Sequence, residues 1–191
     1  EIYTLSLHDA LPISISREAL DNNWTIENFN DDNVESATHA HELAHTAYYD
    51  ALKKTQDPRL TLNAQEKSRR DEFSASHPSL QEIFDIAARN TGYDTVVDAA
   101  ASISRYALKD AEQDKGLDAS KNWSSSYRRL PEVFAEAYND FIYNGENASD
   151  YSKELIKLYI NYVNDYNKTF KDKILIDNQL LSTGLGNNNF V

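Results

Sequence analysis

Between Val34 and Ala51, small apolar residues recur at steps of three and four: Val34, Ala37, Ala40, Leu43, Ala44, Ala47 and Ala51. That spacing gathers them on one stripe of an α-helix. A stripe made mostly of alanine lets a second backbone approach closely. Asp31 or Asp32 is placed to cap the start of this helix. Lys53 and Lys54 bring positive charge to its negative end, just before Asp57-Pro58.

The rest of the chain also reads as helices. A charged helix is expected over 64–73, and His77-Pro78 breaks it. Residues 79–90 set Leu80, Ile83, Phe84, Ile86 and Ala87 on one face, with Gly92 as the stop. A short apolar helix is expected over 96–103, and 110–126 reads as a long surface loop. Helix 130–143 tolerates Pro131 in its first turn and ends at Gly145. The last long helix, 149–171, turns Leu155, Leu158, Tyr159, Tyr162, Val163 and Tyr166 inward. Trp24 and Ile26 are anchors for a short strand in the polar stretch 14–33, and no internal repeat is found. The expected class is mainly α, with an α+β variant carrying a small, partly truncated sheet left open.

Residues 1–13, EIYTLSLHDALPI, resemble the translation of a sequencing-library adapter. They are therefore set apart as an artefact in which His8 and Asp9 carry no chemistry. The expected domain is 14–183, truncated at its natural N-terminus, followed by a flexible tail over 184–191. Glu1 and Asp9 leave with the adapter and no basic residue does, so the net charge of −12 becomes −10. That acidity argues against nucleic acid as a partner. No run of eighteen apolar residues exists to span a membrane, and no cysteine to form a disulfide or a thiolate nucleophile. Nothing in the sequence assigns an oligomeric state, or a compartment in the absence of the natural N-terminus.

The chemistry concentrates in His41-Glu42-Leu43-Ala44-His45. Four residues apart on a helix, His41 and His45 point from one face and can share a tetrahedral zinc ion. Glu42 sits about 100° further round, within reach of a water on that metal and suited to take its proton. His39 faces away from His41. Catalytic zinc usually has three protein ligands. Metzincin spacing would need glycine three residues and histidine six residues after His45, where Tyr48 and Ala51 stand. The third ligand must come from elsewhere, with His77, Glu66 and Glu132 as candidates. Glu66 has Lys67, Arg69 and Arg70 for neighbours, the composition of a solvated face. Glu132 and Glu136 share one face of a helix whose Val133, Phe134, Ala135 and Ala137 indicate burial, where an unpaired carboxylate is costly. One carboxylate can bind the metal while the other accepts a hydrogen bond from a ligating imidazole.

His41-Glu42-Leu43-Ala44-His45 together with Glu132-Val133-Phe134-Ala135-Glu136-Ala137-Tyr138 resembles the catalytic domain of the anthrax lethal factor-like zinc peptidases. That group includes Pro-Pro endopeptidases and phage-borne or toxin-associated domains. The likeness covers the first helix and roughly 102–168, including Asn144-Gly145-Glu146-Asn147-Ala148-Ser149. It implies a zincin-like, glutamate-ligated (gluzincin) metallopeptidase with one catalytic Zn2+ held by His41, His45 and Glu132, and Glu136 beside it. The family also sets a tyrosine seven residues before the ligand glutamate, in an S-x-Y-[GA] context, to stabilise the oxyanion. Ser125 stands at that spacing here. Ser104-Arg105-Tyr106-Ala107 has the context but lies 26 residues before Glu132, which requires an insertion over 110–129. Tyr127 lies five before and fits the spacing better than the context. Both tyrosines are candidates, Tyr106 ahead of Tyr127.

The expected function is thus zinc-dependent cleavage of a peptide or protein substrate by water that Glu42 activates, in a secreted or phage-associated bacterial setting. The alternative is a zinc-binding but non-catalytic structural or assembly module of a larger phage or toxin protein.

Overall fold

The alanine stripe is the inner face of α1 (Val34–Gln56). Ala37, Ala40, Ala44, Ala47 and Ala51 are all buried, whereas Leu43 is half-buried. The computed structural model describes residues 34–56, 60–113 and 130–174. After α1 come α2 (Ala64–Ser76), α3 (Leu80–Asn90), α4 (Val96–Ala101) and α5 (Arg105–Gln113). They are followed by α6 (Pro131–Asn144), a 3-10 turn (Gly145–Asn147) and α7 (Asp150–Thr169). The fold is mainly α. Among the described residues there is no strand, so the small sheet has no counterpart there. Trp24, Ile26, the adapter-like segment, both expected domain boundaries and the tail lie outside the described residues.

The most deeply buried element is α6, which packs along α1 and also against α5 and α7. Its residues from Val133 through Phe141 are all buried. Small side chains on α1 let it come close. Phe134 then stacks on Tyr48 at 4.9 Å between ring centres and meets Tyr159 of α7 at 4.6 Å. Two polar ties fix the register. Asn139 Nδ2 donates to the carbonyl of Ala37 at 3.2 Å, and the Tyr159 hydroxyl donates to the carbonyl of Ala47 at 3.0 Å.

Local chemistry sets the ends of the outer helices. Asn63 with Glu66 and Ser79 with Glu82 form capping boxes at the starts of α2 and α3. Past α3, Gly92 takes φ +84°, so that Tyr93 N–H reaches Ala88 O and Gly92 N–H reaches Arg89 O. No helix of the described residues is long and apolar enough to cross a membrane.

One expectation is corrected. The loop expected to begin at 110 does not, because Asp110 belongs to α5, which continues to Gln113. Glu66, Lys67 and Arg69 are exposed, as their composition suggests, whereas Arg70 is partly buried. Its guanidinium lies over the rings of Tyr166 and Phe170, donates to the carbonyl of Lys54 and pairs with Asp172 at 2.7 Å.

If close approach of a second backbone to the alanine stripe holds this core together, Ala51→Leu should overpack it. Ala51 is fully buried and lies beyond the histidines. A loss of about 1–3 kcal/mol is expected in urea unfolding at unchanged m-value. A change below about 0.5 kcal/mol, the usual range for an uninvolved surface site, would contradict the packing.

Candidate metal centre

His41 and His45 project from α1 toward the first turn of α6, where Glu132 stands. His41 Nε2 is 3.0 Å from Glu132 Oε2, His45 Nε2 is 3.2 Å from the same oxygen, and the two nitrogens are 3.0 Å apart. The side chains are 15%, 14% and 25% exposed, so the cluster is partly withdrawn from solvent.

With Glu132 ionised, no arrangement of protons satisfies all three contacts of this triangle. An imidazole nitrogen carries either an in-plane proton or an in-plane lone pair. If both histidines donate to Glu132, two N–H groups confront each other at 3.0 Å. If His45 donates to His41 instead, the bare His41 nitrogen confronts a carboxylate oxygen at 3.0 Å. A cation satisfies all three at once. Donors about 2.0–2.1 Å from a tetrahedral zinc lie about 3.3 Å apart, close to the observed triangle. Among the described residues these three form the one group of histidines and carboxylates able to chelate a metal in this way.

Behind the triangle lies Glu136, one turn further along α6 and 0% exposed. Its Oε1 is 3.1 Å from His41 Nδ1. This is an ion-pair contact off the axis of a hydrogen bond, so both carboxylate oxygens are buried without a hydrogen-bond partner. A carboxylate on the far nitrogen of a ligating imidazole favours the tautomer that turns the other nitrogen to a metal. His45 Nδ1 is also buried and unpartnered.

Tyr106, in the first turn of α5, has its ring 6.2 Å from that of His41. Burial raises its hydroxyl pKa, and the negative charges of Glu132, Glu136, Asp110 and Glu42 raise it further. Glu42 is half-buried on α1. Of the two candidate tyrosines, Tyr106 is thus beside the cluster, while Tyr127 lies outside the described residues. The other ligand candidates are elsewhere: Glu66 is taken up in the cap of α2, and His77 stacks on Phe73 at 4.0 Å. His39 is exposed.

Comparison with protein-family models, with curated proteins and with solved structures found no match. What can be said of kind therefore rests on the cluster. A half-buried His/His/Glu set able to chelate a metal is consistent with a zincin-like site.

Sequence reasoning missed two members of the surroundings. Tyr49, one turn past His45, stacks on its ring at 6.0 Å, and the recurrence of positions 41, 45 and 49 on one helix face was the available signal. Asp110 accepts hydrogen bonds from the backbone N–H of Glu132 at 3.0 Å and of Val133 at 3.2 Å. Its signal was indirect, since Leu130-Pro131 supplies no side chain to cap α6.

Without metal the cluster is an ion pair. Burial lowers the His41 pKa, but Glu132 and Glu136 outweigh it and hold His41 at about 9 instead of 6.5. Burial likewise raises Glu132, but the two histidines outweigh it and hold Glu132 at about 2 instead of 4.5. The raised His41 stabilises the fold fully below 6.5 and loses that contribution as pH climbs through about 9. The depressed Glu132 stabilises it above 4.5 and loses that contribution as pH falls through about 2. Metal-free protein should therefore draw most from this pair between these two ordinary values, as thermal melts across pH will show. Because a metal must displace the His41 proton, its affinity should rise about tenfold per pH unit from neutrality until His41 titrates. A pH-independent affinity in competition titrations would contradict this.

Proposed function

We propose that this chain is a zinc-binding domain with His41, His45 and Glu132 as the protein ligands. The observation that carries this reading is the triangle of donor atoms at 3.0–3.2 Å, which protons cannot fully satisfy while Glu132 is ionised and a cation can. Two imidazoles and a carboxylate are donors that suit zinc, and three protein ligands leave a fourth position open.

The finer reading is hydrolysis of peptide bonds. When bound, zinc supplies Lewis acidity, polarising a carbonyl and acidifying water to a pKa of about 7. Glu42 follows the ligand His41 directly, and its carboxylate takes the proton from the attacking water and delivers it to the leaving amine. Tyr106 is a protonated phenol at neutral pH, the form that donates to an oxygen gaining negative charge, and its burial and the acids around it raise its pKa further. Glu136 sets a carboxylate oxygen 3.1 Å from His41 Nδ1, where it favours the tautomer that turns Nε2 to the metal. These roles agree with the resemblance to lethal factor-like peptidases and imply a peptide or protein substrate.

The position of the cluster favours a second reading. The three donors join α1 to α6, the most extensively packed pair of helices, so a metal there would brace the core whether or not it turned over substrate. A non-catalytic zinc module within a larger assembly fits that placement.

The readings separate experimentally. Purified protein should contain one zinc per chain, and Glu132→Ala should weaken the metal by more than the roughly 10–100-fold that losing a supporting partner costs. Metal-free protein, or unchanged affinity in that variant, would remove the site. For the peptidase, Glu42→Gln should retain zinc and lose about 10²–10⁴-fold in cleavage rate. Full zinc occupancy with no cleavage of a broad peptide library, and a melting temperature that collapses on chelation, would select the structural module.

A further inference from the structure

The start of α6 is built unusually. Leu130, which precedes it, has φ +54°, a left-handed conformation rare for a non-glycine residue, and offers no side-chain cap. Pro131 has no N–H to satisfy. The next two amides, of Glu132 and Val133, both donate to Asp110 Oδ2 on α5, and Phe134 N–H returns to Leu130 O at 3.0 Å. The cap that this helix lacks locally is thus supplied by a carboxylate 22 residues earlier than Glu132. The backbone of Glu132 is pinned by Asp110 while its side chain meets the two histidines.

We propose that Asp110 is a positioning residue of the metal centre, holding the backbone of Glu132 so that its carboxylate stays in the triangle. The proposal rests on the reading of His41, His45 and Glu132 as metal ligands. Its sharpest consequence is selectivity among them. His41 and His45 lie well inside α1, but Glu132 is the second residue of α6, so loss of the cap frays the turn that carries it and leaves the histidines in place. Asp110 also lies one turn after Tyr106 on α5, so one short helix sets both the tyrosine and the glutamate against α1.

The test is a Co2+ titration of the full chain followed by its visible absorption, with Asp110→Ala, Asp110→Asn and, as a remote control, Ser149→Ala, which removes the cap of α7. Wild type should bind one Co2+ with a tetrahedral spectrum. Asp110→Ala should bind about 10–100-fold more weakly, with a spectrum changed by loss of the carboxylate. Asp110→Asn keeps an acceptor oxygen in place and should recover most of the affinity, while Ser149→Ala should match wild type. Wild-type affinity and spectrum in Asp110→Ala would overturn the proposal and leave the metal site standing. An equal loss in Ser149→Ala would overturn it as general destabilisation. Wild type that takes up no Co2+ would remove the metal site and the proposal together. A measurement on wild type alone covers the case in which Asp110→Ala does not fold. Coupling is reciprocal, so Zn2+ should slow hydrogen exchange at the Glu132 and Val133 amides more than at the Ser152 amide of α7. Equal slowing at all three would overturn the proposal.

Discussion

The contact of α1 with α6 is the constraint on which the rest of the structure depends. Two of the three candidate metal donors sit on one helix and the third on the other, so the separation of the helices decides whether the donors converge. Alanine at 37, 40, 44, 47 and 51 makes a close approach sterically available, because helix separation follows the size of the side chains between the axes. Asn139 and Tyr159 add directional hydrogen bonds to α1, which keep α6 and α7 from sliding along it. A donor triangle with 3.0–3.2 Å sides has little tolerance for such sliding.

Charge is the second organising feature. Glu42, Asp110, Glu132 and Glu136 gather around two imidazoles and one phenol, in a region partly withdrawn from water. In the absence of metal the protein answers with a protonated His41, and burial together with those acids raises the Tyr106 pKa. A divalent cation meets the same surplus of negative charge in a different way. Proton and metal are alternatives at one place, and this makes the centre sensitive to pH without a separate sensor.

Much of this was legible in the sequence, because short-range periodicity and motif spacing are local. The stripe of α1, the apolar face of α3, the burial of α6 and the inward residues of α7 all follow from residues three and four apart. His41, His45, Glu132 and Glu136 were readable as two pairs at helical spacing. What escaped was short or distant. In α5 only Ala107 and Ala111 are buried, side chains too small to mark a face among Lys109, Asp110 and Glu112, so the sequence pattern does not show where α5 starts. The bond from Asp110 to the amides of α6 is a tertiary contact with no local pattern. Tyr106 stands out in the sequence by its neighbours Ser104 and Ala107, whereas its distance from Glu132 along the chain gives no hint that it lies beside His41.

His41 and Glu132 are 91 residues apart in sequence, and the chain contains no cysteine. A metal ion bound by both would act as a cross-link, closing a loop that spans about half of the polypeptide. In the chain-entropy model a permanent tie across a loop of that length is worth about 4–5 kcal/mol, comparable with the whole stability of many small domains. The ion would then play the part that a disulfide plays in other small proteins. Unlike a disulfide, this staple would be set by metal availability and could be withdrawn by a chelator, not by a reductant.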